Sequence, residues 1–321
     1  MIYREISKFY NIPQEEVQDF ISSNKTKYFR FEIPKRNGKF RTITHPRHEL
    51  KIVQYWLVEK VFSRMNYVSC SSYAYIKERD ILKNARKHQR NSHFLSVDFS
   101  NFFESITFKL LEPFLEKFYH STEVEYSLEE LKNVVKRSCF DSYGRLPVGF
   151  VTSSIISNIV MFDFDLRINV LLMSRKMLGR VVYTRYADDV TISTNKEGAI
   201  REIYELFCKG LISEFNSEIT LNASKTKVRH KRCGNVLVTG LRITKDSRIT
   251  IHKNYKERVK KLIHDNYKSE DLSVVSRIIG HLNFIKYVDA NYSHKLNIKY
   301  FSEINELKLR YQALFSAKSY I

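Results

Sequence analysis

The chain has 321 residues, 43% of them hydrophobic and 13% aromatic, enough for a globular protein with one large core or two to three small subdomains. Its 54 Lys and Arg against 35 Asp and Glu leave a formal net charge of +19, which points to a polyanionic partner, either nucleic acid or an anionic membrane surface. No apolar run approaches the roughly 20 residues of a membrane span, the start MIYREISKFY lacks the apolar stretch of a secretory signal, and Cys70, Cys139, Cys208 and Cys233 form no Cys-x-x-Cys pair. A cytoplasmic location, no membrane contact, no zinc site and ordinary buried or semi-buried thiols are therefore expected.

Nine Gly, five Pro and no linker-like or repeated tract predict one continuous body. The N-terminus reads as short helices, with Pro13 opening the second. YFRFEIP and FRTITHP alternate as β-segments around Asn37-Gly38, a strong hairpin signal, flanked by Lys35, Arg36, Lys39 and Arg41. From Leu50 to Arg64, Val53, Trp56, Leu57 and Val61 recur at helical spacing, so Trp56 is expected in the core. FLSVD is a short apolar strand ending on Asp98, and Ser127-Leu-Glu-Glu130 is a capping box opening a helix towards Cys139. One long helix is predicted between Thr152 and Lys176. RVVYTRYADDVTIS reads as two strands folded about Asp188-Asp189, followed by a helix from about Gly198 to Phe215. NVLVTGLRI and RITIH are read as two more strands. Beyond Lys253 only helices are expected, in three stretches, which puts the best candidate boundary near residue 252.

Asp98, Asp188 and Asp189 stand apart because each sits at a strand end or turn rather than on a solvated helix face. Carboxylates paired at the tip of an apolar hairpin repel one another, and a hard divalent cation relieves the conflict. Two such ions about 4 Å apart activate an attacking hydroxyl and stabilise a leaving pyrophosphate, the chemistry of phosphoryl transfer by polymerases. An isolated Asp-Asp pair is more often a plain turn, but this pair has company in the sequence.

Tyr186-Ala187-Asp188-Asp189 resembles the YxDD box of reverse transcriptases, and Asp98-Phe99-Ser-Asn-Phe102-Phe103 resembles their first palm motif. KRNGKFRTITHP is similar to the fingers hairpin, LPVGFVTSSIISN to the motif usually written LPQGxxxSPxLSN, and LNASKTKV to the later lysine-bearing motif, all in family order. The resemblance implies an α+β right-hand polymerase fold, with residues 1–93 as N-terminal helices and fingers, 94–252 as palm with interleaved fingers segments, and 253–321 as a helical, RNA-binding thumb. It implies an RNA-directed DNA polymerase that uses dNTPs with Mg²⁺, or Mn²⁺. Asp98 and Asp188 match the main metal ligands and Asp189 completes the catalytic set. Phe103 matches the steric gate against a ribose 2′-OH, with a core Phe as the alternative. Lys35, or its neighbour Arg36, and Arg41 match the residues that clamp the incoming triphosphate. Gly149 is expected to let the backbone approach the nucleotide and template, and Lys225 to neutralise or protonate the leaving group or to be a surface lysine. Val148 stands where the family has Gln, a departure that removes a polar contact near the nucleotide, and Ser154 stands where it has Pro.

Two further stretches resemble signatures of retron reverse transcriptases: Asn84-Ala85-Arg86-Lys87-His88 and Val238-Thr239-Gly240. Asn84 and His88, four apart on a predicted helix, suit an RNA backbone or the protein's own core equally. Thr239 is either a nucleic-acid contact or a plain strand residue. Lys253, Lys256, Arg258, Lys260 and Lys261 form a basic cluster suited to phosphates, with Tyr255 and Tyr267 for stacking. The retron resemblance implies a structured noncoding RNA of the msr-msd type as template and primer, its cDNA as product in branched msDNA, phage defence and a separate effector protein. Another bacterial defence or group-II-like reverse transcriptase, or an RNA- and effector-binding scaffold with weak polymerase activity, remain alternatives.

Overall fold

A computed structural model describes all residues except 24–26, 35–37, 39, 235 and 319–321, and no side chain beyond Ala313. The chain divides into two compact units, one of residues 1–79 and 95–228, the other of residues 80–94 and 229–321. Each has its own apolar core. The expected boundary near residue 252 lies inside the second unit, because the strands before it share a core with the helices after it.

The first unit opens with α1 (Ile2–Tyr10) and α2 (Gln14–Ser22), the second helix starting directly after Pro13. Strands β1 (Tyr28–Pro34) and β2 (Phe40–Pro46) pair antiparallel from Tyr28↔Pro46 to Pro34↔Phe40, the hairpin read from sequence. Helix α3 (His48–Lys60) buries Val53, Trp56 and Leu57, with Trp56 2% exposed. A four-residue helix α5 (Phe102–Ser105) begins on the last two residues of the first palm motif, and α6 (Phe108–His120) follows. Helix α7 (Leu128–Cys139) begins with a complete capping box, the Ser127 hydroxyl accepting from Glu130 N and the Glu130 carboxylate accepting from Ser127 N. The long helix predicted from Thr152 to Lys176 is instead α8 (Ser153–Val160) and α9 (Phe162–Ser174). The break falls on buried Met161, whose ψ of −1° leaves the helical value, and no Gly or Pro marks it in the sequence. Strands β4 (Val182–Tyr186) and β5 (Asp189–Thr194) form the second hairpin, backed by α10 (Ile200–Phe215). With β3 (His93–Asp98) and β6 (Lys227–His230) they make a four-stranded sheet in the order β4-β5-β3-β6.

The second unit contains α4 (Ile81–His88), a three-stranded sheet of β7 (Val236–Val238), β8 (Leu241–Ile243) and β9 (Ile249–Ile251), and four helices. NVLVTGLRI is thus a hairpin rather than one strand. Val238 pairs with Leu241, and Thr239 and Gly240 between them both take left-handed φ, 46° and 83°. Two positive φ values are what a two-residue turn needs to match the twist of its strands. Helices α11 (Lys253–Asn266), α12 (Leu272–Val288), α13 (Ala290–Lys299) and α14 (Phe301–Lys318) complete the unit, one more than the sequence pattern suggested. No helix among the described residues is long and apolar enough to cross a membrane. The four cysteines are free, but Cys70 and Cys233 are exposed rather than buried.

Candidate active site

Asp98 ends β3 and is 8% exposed, while the β4–β5 hairpin turns on Ala187 and Asp188, one residue before the turn read from sequence, so that Asp189 opens β5 paired with Tyr186. Ala187, the first residue of this two-residue turn, has φ +55°, a conformation that L side chains rarely adopt. Backbone bonds bring the acids together: Phe99 N donates to Asp188 O at 3.3 Å, and Asn222 N to Asp98 O at 2.8 Å. Withdrawal from bulk water pushes the Asp189 carboxyl up to about 6, and the charges of Asp188 and Asp98 add to it. Asp189 keeps an exposed face, and like charges crowded on one side of it disfavour its ionised form. Asp188 is raised too, first by burial and then by Asp98, with Lys225 and Arg41 opposing.

Lys225 supplies the counter-charge, its Nζ donating to Asp98 Oδ1 at 2.7 Å from a side chain that is 57% exposed. Among the described residues no three Asp, Glu, His or Cys side chains stand gathered as a ready cation site; Asp98 is engaged by this ammonium instead. The donor set nevertheless fits a hard divalent cation. All its donors are carboxylate oxygens, two of the carboxyls carry raised proton affinities, and a largely exposed lysine already stands in for positive charge.

Arg41 is exposed on β2 within electrostatic reach of Asp188, while Lys35 and Arg36 lie outside the described residues. Phe103 is partly buried against the core and meets Phe102 edge-on at 5.4 Å; it is Phe102, 3% exposed, that is the core residue of the motif. Val148 O accepts from Thr44 N at 2.8 Å, tying this loop to the first hairpin. At Gly149 a Cβ would stand 2.6 Å from Thr44 O, and φ is +115°. The close approach expected there is to the protein's own strand β2. Tyr75, which the motifs do not mark, has φ +61° and an exposed ring, and its hydroxyl is pushed up by burial, then by Asp188 and Tyr186, against Arg41. The only local signal for it is its place in the aromatic run SSYAY.

In the second unit the two retron-like signatures meet. Asn84 Nδ2 reaches Thr239 Oγ1 at 3.5 Å, and that hydroxyl donates to Ile81 O at 3.4 Å. Asn84 and His88 are 1% and 0% exposed, so their expected contact with RNA is not available in this structure. They belong to the core, the other reading of their spacing. Burial pushes the His88 imidazole down to about 3. On α11, Lys253, Arg258 and Lys261 face solvent, and Arg258 lies over the Tyr255 ring at 5.0 Å. Lys256 departs from the expected phosphate-facing cluster: its Nζ donates to Thr250 Oγ1 at 2.6 Å, pairs with Asp289 at 3.4 Å and sits 4.0 Å above the Tyr292 ring. Lys260 is paired with Glu257 at 2.9 Å.

The family described as reverse transcriptase (RNA-dependent DNA polymerase) matches residues 33–266. Among curated proteins, the chain is 35% identical over 283 residues to the retron Ec73 reverse transcriptase of Escherichia coli, covering 86% of this chain and 87% of that one. It is 30% identical over 284 residues to the retron Ec83 reverse transcriptase of the same organism, with the same coverage. Among solved structures, apo telomerase from Candida tropicalis superposes with a TM-score of 0.53 at 12% identity, over 97% of this chain and 66% of the telomerase, which supports the right-hand fold alone. The chain spans less than two thirds of that telomerase. Reverse transcriptases depend on divalent metal in general, and the acidic turn, the motif order and the relatives agree: this chain belongs to the reverse transcriptase family, as an RNA-directed DNA polymerase of the bacterial retron type.

Proposed function

We propose that the protein reverse-transcribes a structured noncoding RNA of the msr-msd type in the cytoplasm, starting from a guanosine 2′-OH within that RNA and leaving its cDNA joined to it as branched msDNA. The observation that carries the reading is Asp98, held by Lys225, on the strand bonded to the turn that bears Asp188, in a chain whose curated relatives are retron reverse transcriptases. Asp98 and Asp188, with Asp189 in support, would hold Mg²⁺, or Mn²⁺ in its place. The bound ions supply Lewis-acid activation of the attacking hydroxyl and neutralise the departing pyrophosphate. Lys225 is placed to leave Asp98 and meet the charge of that pyrophosphate. Arg41 steadies the incoming dNTP triphosphate, and Lys35 is assigned with it. Phe103 presents a ring edge against a ribose 2′-OH, and the loop at Val148 and Gly149 sets the distance between hairpin and site. Residues 1–93, 94–252 and 253–321 serve as fingers, palm and RNA-binding thumb, with Lys253, Arg258 and Lys261 on the phosphates. Phage defence through restraint of a separate effector protein completes the proposal.

The test is the chemistry of the nucleic acid that copurifies with the protein. Its DNA is expected to stay joined to RNA through denaturation and to separate only when a 2′,5′ debranching enzyme is added. DNA with an ordinary 5′ end, or DNA joined to a protein side chain, would refute the priming proposal.

A further inference from the structure

Among the described residues Arg185 is the largest fully buried side chain, 0% exposed, three residues before Asp188. On β4 it shares a face with Tyr183, and both turn towards α9, where they meet Asp165, also 0% exposed. Arg185 Nε donates to Asp165 Oδ1 at 3.0 Å and Nη2 to Asp165 Oδ2 at 2.8 Å, while Tyr183 Oη donates to Oδ1 at 2.6 Å. The acid is saturated and the pair is neutral as a whole. Two Arg185 donors reach further. Nη1 donates to Ala187 O at 3.2 Å, and Nη2 to Asn158 Oδ1 at 3.3 Å. Asn158 in turn accepts from Ser72 Oγ at 2.9 Å and donates to Ala74 O at 2.9 Å.

The Ala187 carbonyl belongs to the peptide that leads into Asp188, and Ala187 is the residue held at φ +55°. A non-glycine residue keeps such a conformation only where its surroundings over-determine it. The neighbouring backbone is pinned as well, since Arg185 N donates to Ser71 O and Tyr73 N to Arg185 O, both at 2.8 Å. A buried ion pair adds little net stability over apolar residues of the same volume, because desolvation offsets the attraction. What this pair provides that apolar residues cannot is a donor aimed at one carbonyl.

We propose that Arg185, oriented by Asp165 and Tyr183, is a positioning residue for polymerisation: it fixes the Ala187–Asp188 peptide, and with it the aim of the Asp188 carboxylate. The proposal rests on the reading of Asp188 as a metal-holding carboxylate. It predicts that replacing the pair leaves the fold intact and loosens the metal site. Arg185→Met combined with Asp165→Leu removes both charges together, so no unpaired charge remains buried. Arg185→Lys keeps the charge opposite Asp165 but lacks the planar fork that reaches Asp165 and Ala187 at once.

Each variant is compared with the parent by thermal unfolding, by Mn²⁺ binding followed by electron paramagnetic resonance, and by RNA-templated extension at saturating dNTP. For the double variant, the expected result is a melting temperature near the parent's, Mn²⁺ affinity lowered about tenfold, and kcat lowered about 100-fold with a smaller change in KM, as displacement of a reacting group by about 1 Å produces. Arg185→Lys should fall between the two. A folded double variant with both Mn²⁺ affinity and kcat within about twofold of the parent overturns the proposal. If the double variant does not fold, the same result for folded Arg185→Lys overturns it. Asp188→Asn is the control: if it retains Mn²⁺ affinity and extension, the carboxylate reading fails, whereas its loss beside an unaffected Arg185 variant sinks the positioning role alone.

Discussion

Phe102 and Phe103 are neighbours with different surroundings, one closed in the core and the other at its edge, and the difference sets what substitution does. Phe103→Ala should lower the preference for dNTP over rNTP by about 10- to 100-fold with the fold retained, read as the ratio of kcat/KM for the two nucleotides; an unchanged ratio returns Phe103 to a packing role. Gly149→Ala, by contrast, forces a methyl against Thr44 O at a φ of +115°. It should cost about 1–3 kcal/mol in urea unfolding, and a variant as stable as the parent would contradict the packing described here. The three aspartates were legible from sequence because an acid at a strand end or a hairpin tip is a local pattern. The reason for Gly149 was not, since its neighbour Thr44 is over 100 residues away in the chain. Arg185 and Asp165 escaped for a related reason: 20 residues separate them, and Arg185 reads as one more basic residue in a basic chain.

The hairpins show which elements sequence can specify. Asp188-Asp189 interrupts clear alternation and its hairpin was read from that to within one residue, while Asn37 lies outside the described residues; Val238-Thr239-Gly240-Leu241, by contrast, continues an apolar β-pattern straight through its own turn. Only the backbone reveals that Thr239 and Gly240 bend there. Thr239, a β-branched residue at φ 46°, is strained, and its hydroxyl bond to Ile81 O against α4 helps to hold it. Gly240→Val would put a second β-branched residue in the left-handed region and should destabilise the protein by about 1–2 kcal/mol, seen as a lower melting temperature. No change in melting would mean that the turn is not formed as described. The helix expected from Thr152 to Lys176 was misjudged in the same way, because the break at buried Met161 is carried by its backbone angles alone, with no Gly or Pro to read.

At the scale of the whole molecule, the composition read correctly as a basic globular protein, but the division into units did not follow the change from strands to helices. Residues 80–94 return to the C-terminal core through Leu82, Ala85 and Phe94, a long-range pairing that no local pattern announces. That core makes stability depend on pH through His88. The unfolded chain takes up a proton near pH 6.5, while the fold refuses it down to about 3. The stabilisation is therefore complete above about pH 6.5 and is lost as pH falls, by about 1.4 kcal/mol per unit. Urea unfolding should show parent stability dropping by about 2 kcal/mol from this group between pH 6.5 and 5, with the slope reduced in His88→Gln; equal slopes would show that His88 already titrates normally in the fold. RNA affinity should also fall steeply with salt if Lys253, Arg258 and Lys261 lie on phosphates. DNA synthesis is expected to reside in the acidic turn and RNA binding elsewhere in the chain. The most direct measurement of this is RNA-templated primer extension by the Asp188→Ala/Asp189→Ala protein, with RNA binding measured alongside at fixed ionic strength. Extension should be abolished while RNA affinity stays within about threefold of the parent; extension at the parental rate would remove the acidic turn from catalysis.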